Sequence, residues 1–383
     1  MSDPVAAARA LAPVAAEHAA AAERARRLPA PLVASLAEAG LFRLCVPAAT
    51  GGLEAHPAVL VQAVEALARG DGAAGWCVAI GATSGLLAAY LPVERAREVF
   101  AEPSAIAGGV FAPRGRAVPA DGGFRVSGRW PFASGCEHCD WLMGGCVVDE
   151  DGALQALPSG MPDVRLMLAP AREFTIHDTW HVAGLRATGS HDIELRDAFV
   201  PAEMAASVIT DPPRHDGMLY AFPLFGLLAL AIAGVSLGIA RGALDDLTAM
   251  AAAKVPTGGT RALAQRGTVQ AEVARAEAAL RAARALLLSA IDEAWEHALA
   301  AGDVGVEART GLRLAATHAA LTCADVAQSA YRLGGGSAIY ETSPLQRRFR
   351  DAHVATQHML VAPATWELTG RLLLGRPTDT TQL

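Results

Sequence analysis

Residues 334–375 read GGGSAIYETSPLQRRFRDAHVATQHMLVAPATWELTGRLLLG, and this stretch decides the fold. Ser343 stands where a helix N-cap belongs, Pro344 at the first helical position, and Gln346 where a capping box places Glu or Gln. The spacing predicts a helix dense in Arg347, Arg348 and Arg350 that also carries Asp351. Pro363 restarts a last helix and Gly375 ends it. Gln357-His358 falls between the two helices, an uncharged polar pair in apolar company. Glycines that admit close backbone approach, arginines suited to phosphate and an imidazole that ordinarily titrates near neutrality suggest a cofactor phosphate site beside a catalytic base.

The same periodicity runs upstream. Helical segments are expected at 221–253, 261–301, 305–333 and 344–374. In the second, Val269, Val273, Ala276, Leu280, Ala283, Leu287 and Ile291 recur on one face, and Glu277 and Arg281 form an exposed i,i+4 pair. Four such helices bury their stripes only against one another, which predicts a four-helix bundle. Residues 221–240 (AFPLFGLLALAIAGVSLGIA) carry no charge over a length that would cross a membrane. Flanking positive charge is slight (Arg214, Arg241) and amphipathic helix follows, so the segment reads as a bundle helix surrounded by neighbours rather than a span.

Further upstream the pattern changes twice. From Pro103 to Pro213, short β-branched or alternating runs (GFRVSGRW, CDWLMGGCVV, VRLMLA, HDIELRDAFV) lie between Gly, Pro and Asp, with Asp121-Gly122-Gly123 as a hairpin turn. Before Pro103, segments 3–27, 32–39, 57–69, 73–90 and 92–100 read as helices. The expected fold class is α+β, mostly α: an N-terminal helical domain (1–103), a central small β-barrel-like domain (104–213) and the C-terminal bundle (214–383). At 383 residues the chain exceeds one compact core, and 52% hydrophobic residues supply a large interior. Net charge is −7 and Lys254 is the only lysine; without a basic run, nucleic acid is not an expected partner. Six scattered cysteines and a charged, alanine-rich start point to a reduced, cytoplasmic protein without a secretory signal.

GGG…SPLQRRFRDA closely resembles the C-terminal signature of the acyl-CoA dehydrogenase superfamily, and SPLQRRFRDAHVATQH is most similar to its two-component flavin-dependent monooxygenase branch. GLFRLCVPAATGG (40–52) and DGAAGW (71–76) are similar to the superfamily's N-terminal domain, so the likeness runs from about Leu32 to Gly375. The resemblance implies a bound flavin, FMN or FAD, with no metal. GRWPFASGCEHCDW (128–141) resembles the turn at the flavin edge, which makes Trp130, Phe132 and Ser134 candidate contacts, the Ser134 hydroxyl donating near N5 and the reactive oxygen. LRATGSHDIELRDAFVP (185–201) resembles the strand beside the ring and adds Thr188 and Ser190. For the phosphates it suggests Gly334, Gly335, Gly336 and Arg347, with Lys254 near the place of a phosphate-binding arginine. The glutamine expected before the glycines has no counterpart, Gln328 being too far back, so FAD and FMN both stay open.

One departure separates the chemistries. The dehydrogenases need a carboxylate base. Counted from Arg350-Asp351 that position is Met359, and the alternative one on the first bundle helix, counted from Gly238, is Leu228; neither takes a proton. His358, beside the vacated position, is implied as the group that deprotonates or orients a substrate. The expectation is an oxygenase component that takes reduced flavin from a separate NAD(P)H-flavin reductase, reacts with O2 through a C4a-hydroperoxyflavin and hydroxylates a small aromatic or amine substrate. The alternatives are a flavin dehydrogenase or oxidase with a non-standard base, and a binding relative without chemistry. Arg350 and Asp351 read as an ion pair, and Cys136-Glu-His-Cys139, half a metal site with no second half, as strand packing. A homotetramer, a dimer of dimers, is implied by resemblance alone.

Overall fold

The computed structural model describes residues 3–383 except 151, 157–159 and 161. Five helices come first: α1 (Pro4–Ala25), α2 (Ala30–Glu38), α3 (Pro57–Gly70), α4 (Gly72–Ser84) and α5 (Val93–Val99). Eight strands follow: β1 (Ala107–Ala120), β2 (Gly123–Ala133), β3 (Trp141–Glu150), β4 (Ala153–Leu154), β5 (Val164–Pro170), β6 (Thr175–His177), β7 (His191–Pro201) and β8 (Ala205–Ala206). Five helices close the chain: α6 (Leu224–Ala253), α7 (Gly267–Ala301), α8 (Val306–Gly334), α9 (Pro344–Ala355) and α10 (Ala364–Leu373).

The sheet runs β6-β7-β2-β1-β3-β5-β8, with β4 beside β3. β1 pairs parallel with β3, and the other pairs are antiparallel. The Asp121-Gly122 turn joins β1 to β2, with Gly122 at φ 73°. β1 lies outside the strands expected from sequence. Pro113 and Pro119 interrupt its pattern, and its ladder to β3 shifts register around Pro113. Trp130 fills the middle of this domain with 0% of its surface exposed, its Nε1 donating to the Gly145 carbonyl at 2.7 Å. Glycines clear the slot: a methyl on Gly144 would sit 2.5 Å from the indole. Trp130 therefore has no surface to offer a cofactor, which corrects its reading as a flavin contact.

In the C-terminal part α6 packs on α3, α4, α8 and α9. Its window and that of residues 72–89 are long and apolar enough to cross a membrane, yet 78% and 94% of them are buried against neighbouring elements. The α7 stripe is buried as its spacing requires, and Glu277 pairs with Arg281 at 2.7 Å and also with Arg241 at 2.5 Å. The segment 344–374 is two helices around a short connection. Pro344 does start α9, but the capping box does not form. Ser343 makes no cap bond and its buried hydroxyl is unpartnered, while Gln346 bonds the Glu341 carbonyl and Arg350. The expected Arg350–Asp351 ion pair is also absent. Arg350 turns to Glu23 of α1 at 2.6 Å, and Asp351 turns inward to the Leu185 N–H at 2.6 Å.

Candidate active site

β2 ends in a distortion that a regular strand would not tolerate. Its register against β7 slips between Trp130 and Ala133, and Phe132 is held at φ 68°. Gly135 follows at φ 70°, where only glycine is unstrained. The kink leaves Phe132 67% exposed, edge-on to Trp180 at 6.2 Å, and turns Ser134 inward until it is 7% exposed.

Ser134 joins a hydrogen-bonded chain. Thr188 Oγ1 lies 2.8 Å from the Leu185 carbonyl, which also accepts the Thr188 N–H and the Trp180 Nε1–H, each at 3.1 Å. Ser190 Oγ lies 2.6 Å from Thr188 Oγ1 and 2.7 Å from Ser134 Oγ; where Thr188 gives its proton to Leu185, Ser190 donates to Thr188 and Ser134 to Ser190. Trp76 Nε1, on α4, donates to Ser134 Oγ at 3.0 Å. The order is Trp76 N–H, Ser134, Ser190, Thr188, Leu185 C=O. In this direction the Ser134 hydroxyl has no proton left to give and one lone pair free. With Thr188 donating to Leu185 this oxygen is an acceptor; with Thr188 donating to Ser190 it keeps the proton expected from sequence. The Gly135 N–H also bonds the Thr188 carbonyl at 2.8 Å, which ties the two loops together.

His358 meets this chain through Trp76, ring to ring at 5.9 Å and edge-on. Its Nδ1 accepts the Leu360 N–H at 3.3 Å, so in the neutral ring the proton resides on Nε2. Burial first, and the Arg313 guanidinium second, push its pKa down to about 4. The sequence-based picture of an imidazole titrating near neutrality is corrected on this point. His358 is a neutral N–H donor at physiological pH and a poor base for a phenolic proton. No acid replaces the missing base next door: Met359 is 62% exposed and Leu228 packs on the core.

The glycine and arginine candidates form a second group at the junction of α8 and α9. Gly334 ends α8, Gly335 sits at φ 54°, and Gly336 has open space where a side chain would be. Lys254 Nζ donates to the Gly334 carbonyl, so it braces the turn rather than standing free for phosphate. Arg348 is committed to Asp246 at 3.2 Å and to the carbonyls of Ala68 and Arg69. Arg347, half-buried, makes no ion pair among the described residues and is the cation the group has to spare. Cys136 and Cys139 point at the carbonyls of Gly189 and Gly135, in line with packing. A surface cleft of about 590 Å³ lies elsewhere, and its Arg69, Arg284 and Arg348 are already paired with acids. Trp76 was not singled out from sequence. Its one signal is being the only large aromatic on a helix of small residues.

The donor set fits a reduced flavin. Reduced flavin carries a proton on N5 and needs an acceptor there, which the free lone pair on Ser134 provides where Thr188 donates to Leu185; oxidised flavin needs a donor. Phe132 and Trp180 give apolar surface beside it. A helical N-terminal domain, a β-domain and a bundle arranged around such a chain define a flavoprotein of the acyl-CoA dehydrogenase fold. Family profiles agree: residues 5–95 match the acyl-CoA dehydrogenase N-terminal domain and 230–363 its C-terminal domain. The chain is 37% identical over 356 residues to an indole-3-acetate monooxygenase of Pseudomonas putida, covering 92% of this chain and 89% of that one. It is 30% identical over 371 residues to the oxygenase component of an FADH2-dependent resorcinol hydroxylase of Rhizobium sp., covering 92% and 88%. The structure of XiaF from Streptomyces sp. in complex with FADH2 and glycerol superposes with a TM-score of 0.88 at 28% identity, over 98% of this chain and 96% of that one. The protein belongs to the flavin-dependent monooxygenase branch of the acyl-CoA dehydrogenase superfamily; it is an oxidoreductase that depends on reduced flavin.

Proposed function

We propose that this chain is the oxygenase half of a two-component system: it receives reduced FAD or FMN from a separate NAD(P)H-dependent reductase and uses O2 to hydroxylate a small aromatic substrate of the indole or phenol type. The directed hydroxyl chain carries the proposal, because it ends in an acceptor at Ser134. The named substrates of the relatives, indole-3-acetate and resorcinol, support the aromatic class. The setting would be the cytoplasm, where the six free cysteines stay reduced.

When bound, reduced flavin supplies the two electrons that activate O2. The chain's own residues do the rest. Ser134 would accept from N5–H and hold the ring edge, Phe132 and Trp180 would flank it, and Gly334, Gly335, Gly336 and Arg347 would take the phosphates. Thr188 and Ser190 act through Ser134 by fixing which way its proton points. His358 would donate from Nε2 to the polar group of the substrate, orienting the ring rather than deprotonating it. Buried Trp76 stands between His358 and Ser134, ring to ring with the one and bonded to the other.

The test is coupling. With chemically reduced flavin, O2 and an indole or phenol, product formed per O2 consumed is compared with H2O2 released. Ser134→Ala is expected to lower the rate of product formation by about 10²-fold, in the range for losing one group aimed at the reacting centre, and to divert oxygen to peroxide. Unchanged coupling in that variant would remove Ser134 from the chemistry.

A further inference from the structure

His191 opens β7 beside Ser190, yet the hydroxyl chain does not use its ring. It is 5% exposed. Its Nδ1 receives two main-chain N–H groups, those of Thr179 and Trp180, each at 3.2 Å. A ring nitrogen that accepts carries no proton, so the proton of the ring sits on Nε2. The acceptor exists only while the imidazole is neutral. Next to it, Thr179 Oγ1 receives the Asp192 N–H and donates to Asp192 Oδ1, both at 2.9 Å. From the other side Arg26, at the end of α1, bonds Asp178 Oδ2 at 2.9 Å and the Trp180 carbonyl at 3.3 Å.

What this turn carries is Trp180. Its indole Nε1 donates to the Leu185 carbonyl at 3.1 Å, the same oxygen that Thr188 Oγ1 reaches at 2.8 Å. Its ring stands at 87° to the exposed Phe132 ring. Trp180 is thus pinned at both ends. His191 holds its main chain, and the oxygen at the end of the Ser134–Ser190–Thr188 chain holds its side chain. Loosening the main chain would let the indole leave both Leu185 and Phe132.

We propose that His191 is a positioning residue: its neutral Nδ1 sets the Trp180 indole against Phe132 and the Leu185 carbonyl, and so shapes the edge that receives the flavin. This rests on the reading of Phe132, Trp180 and Ser134 as that edge. The charged and titratable groups around the ring are Glu137, Asp178, His181, Asp192, Arg26 and Arg27. Glu137 Oε2 lies 3.9 Å from Nε2 and Asp178 Oδ1 lies 3.7 Å from Nδ1. Arg27 approaches Glu137 at 3.5 Å, and Arg26 and His181 engage Asp178. A protonated ring would meet a carboxylate at each nitrogen and lose both main-chain bonds. The neutral ring is the holding form, so the hold is present at the alkaline end and is lost as pH falls and the ring gains its proton.

His191→Asn and His191→Leu separate the acceptor from the titration. Asn carries an oxygen one bond beyond Cγ, where His carries Nδ1, and gains no proton in this range. Leu leaves both N–H groups without an acceptor. Amide hydrogen exchange at Thr179 and Trp180 in the full-length apoprotein is read as protection relative to the unfolded chain, at about pH 8 and about pH 5, the span in which imidazoles ordinarily gain a proton. Wild type is expected to lose protection at the lower pH, His191→Asn to keep it at both, and His191→Leu to lack it at both. Anaerobic affinity for reduced FMN and FAD at the higher pH should weaken by about tenfold in His191→Leu, the worth of one buried hydrogen bond, and be restored in His191→Asn. Toward the lower pH, the affinity of wild type relative to His191→Asn should fall, by at most about tenfold per pH unit for the single proton involved. Wild-type protection that does not change with pH, a flat affinity ratio, or a His191→Leu protein that binds reduced flavin as wild type does, overturns the proposal. Trp180→Ala separates it from the reading on which it rests. If that variant leaves reduced-flavin affinity unchanged while exchange follows the expected pattern, His191 holds the turn but the turn does not border the flavin, and the positioning role is wrong.

Discussion

At the scale of the residue, function rests on which way protons point. Ser134, Ser190 and Thr188 are chemically alike, and the proposed function takes the direction in which Thr188 donates to the Leu185 carbonyl while the Trp76 N–H donates to Ser134. Cutting the chain at Ser190 frees the Ser134 proton, so Ser190→Ala should let Ser134 donate and improve binding of oxidised flavin. The ratio of oxidised to reduced flavin dissociation constants is expected to fall by about tenfold, the worth of one hydrogen bond, as read by fluorescence titration under air and under nitrogen. An unchanged ratio contradicts the proposed direction. His358 makes a second residue-level case. Its pKa is depressed to about 4, so its stabilising contribution is present above its unfolded pKa and is lost as pH falls toward that value. Ring NMR of the apoprotein between about pH 6 and 8, a range spanning the ordinary histidine pKa, should show a neutral Nε2–H ring with no titration. A midpoint near neutrality would restore it as a base.

At the scale of the element, the β-domain is built around one indole and the glycines that admit it. A methyl on Gly144 meets that ring at 2.5 Å, and Gly115 and Gly128 stand so close to the same ring that methyls there would meet it too. Gly144→Ala is expected to destabilise the protein by about 1–3 kcal/mol through overpacking, seen in urea unfolding, more than the same change at Gly122's open turn would through packing. The α7 stripe and the β1–β2 turn were legible because each is a local pattern: one helical face, one Asp-Gly. β1 was not, because its two prolines and its glycines deny it any alternation, and pairing with β2 and β3 makes it a strand. The cap at Ser343 was misread for the converse reason. The local signal is present, but Gln346 bonds Arg350 one turn along the same helix and the Glu341 carbonyl, and the buried serine hydroxyl is left without a partner. Ser134, Thr188 and Ser190 could be found as hydroxyls beside turns, whereas their order and their link to Trp76 exist only once α4, β2 and the turn before β7 converge.

At the scale of the whole molecule, the three parts meet so that no one of them owns the site. α4 gives Trp76 and Asp71, the β-domain gives Ser134, Thr188 and Ser190, and the C-terminal helices and their connection give Asp351 and His358. The carboxylate base that thioester oxidation needs is absent from both expected positions, and two buried acids, Asp71 and Asp351, are turned toward backbone at the α4 end. On the proposed function, such a site would steer oxygen with borrowed electrons and not draw electrons from its substrate. The direct test supplies photoreduced flavin, ¹⁸O2 and an indole or phenol to the enzyme with no reductase present, alongside an anaerobic mixture of substrate and oxidised flavin. One labelled oxygen in the hydroxylated product, with no bleaching of oxidised flavin by substrate alone, is the predicted result; unlabelled product, or bleaching under anaerobic conditions, would contradict it.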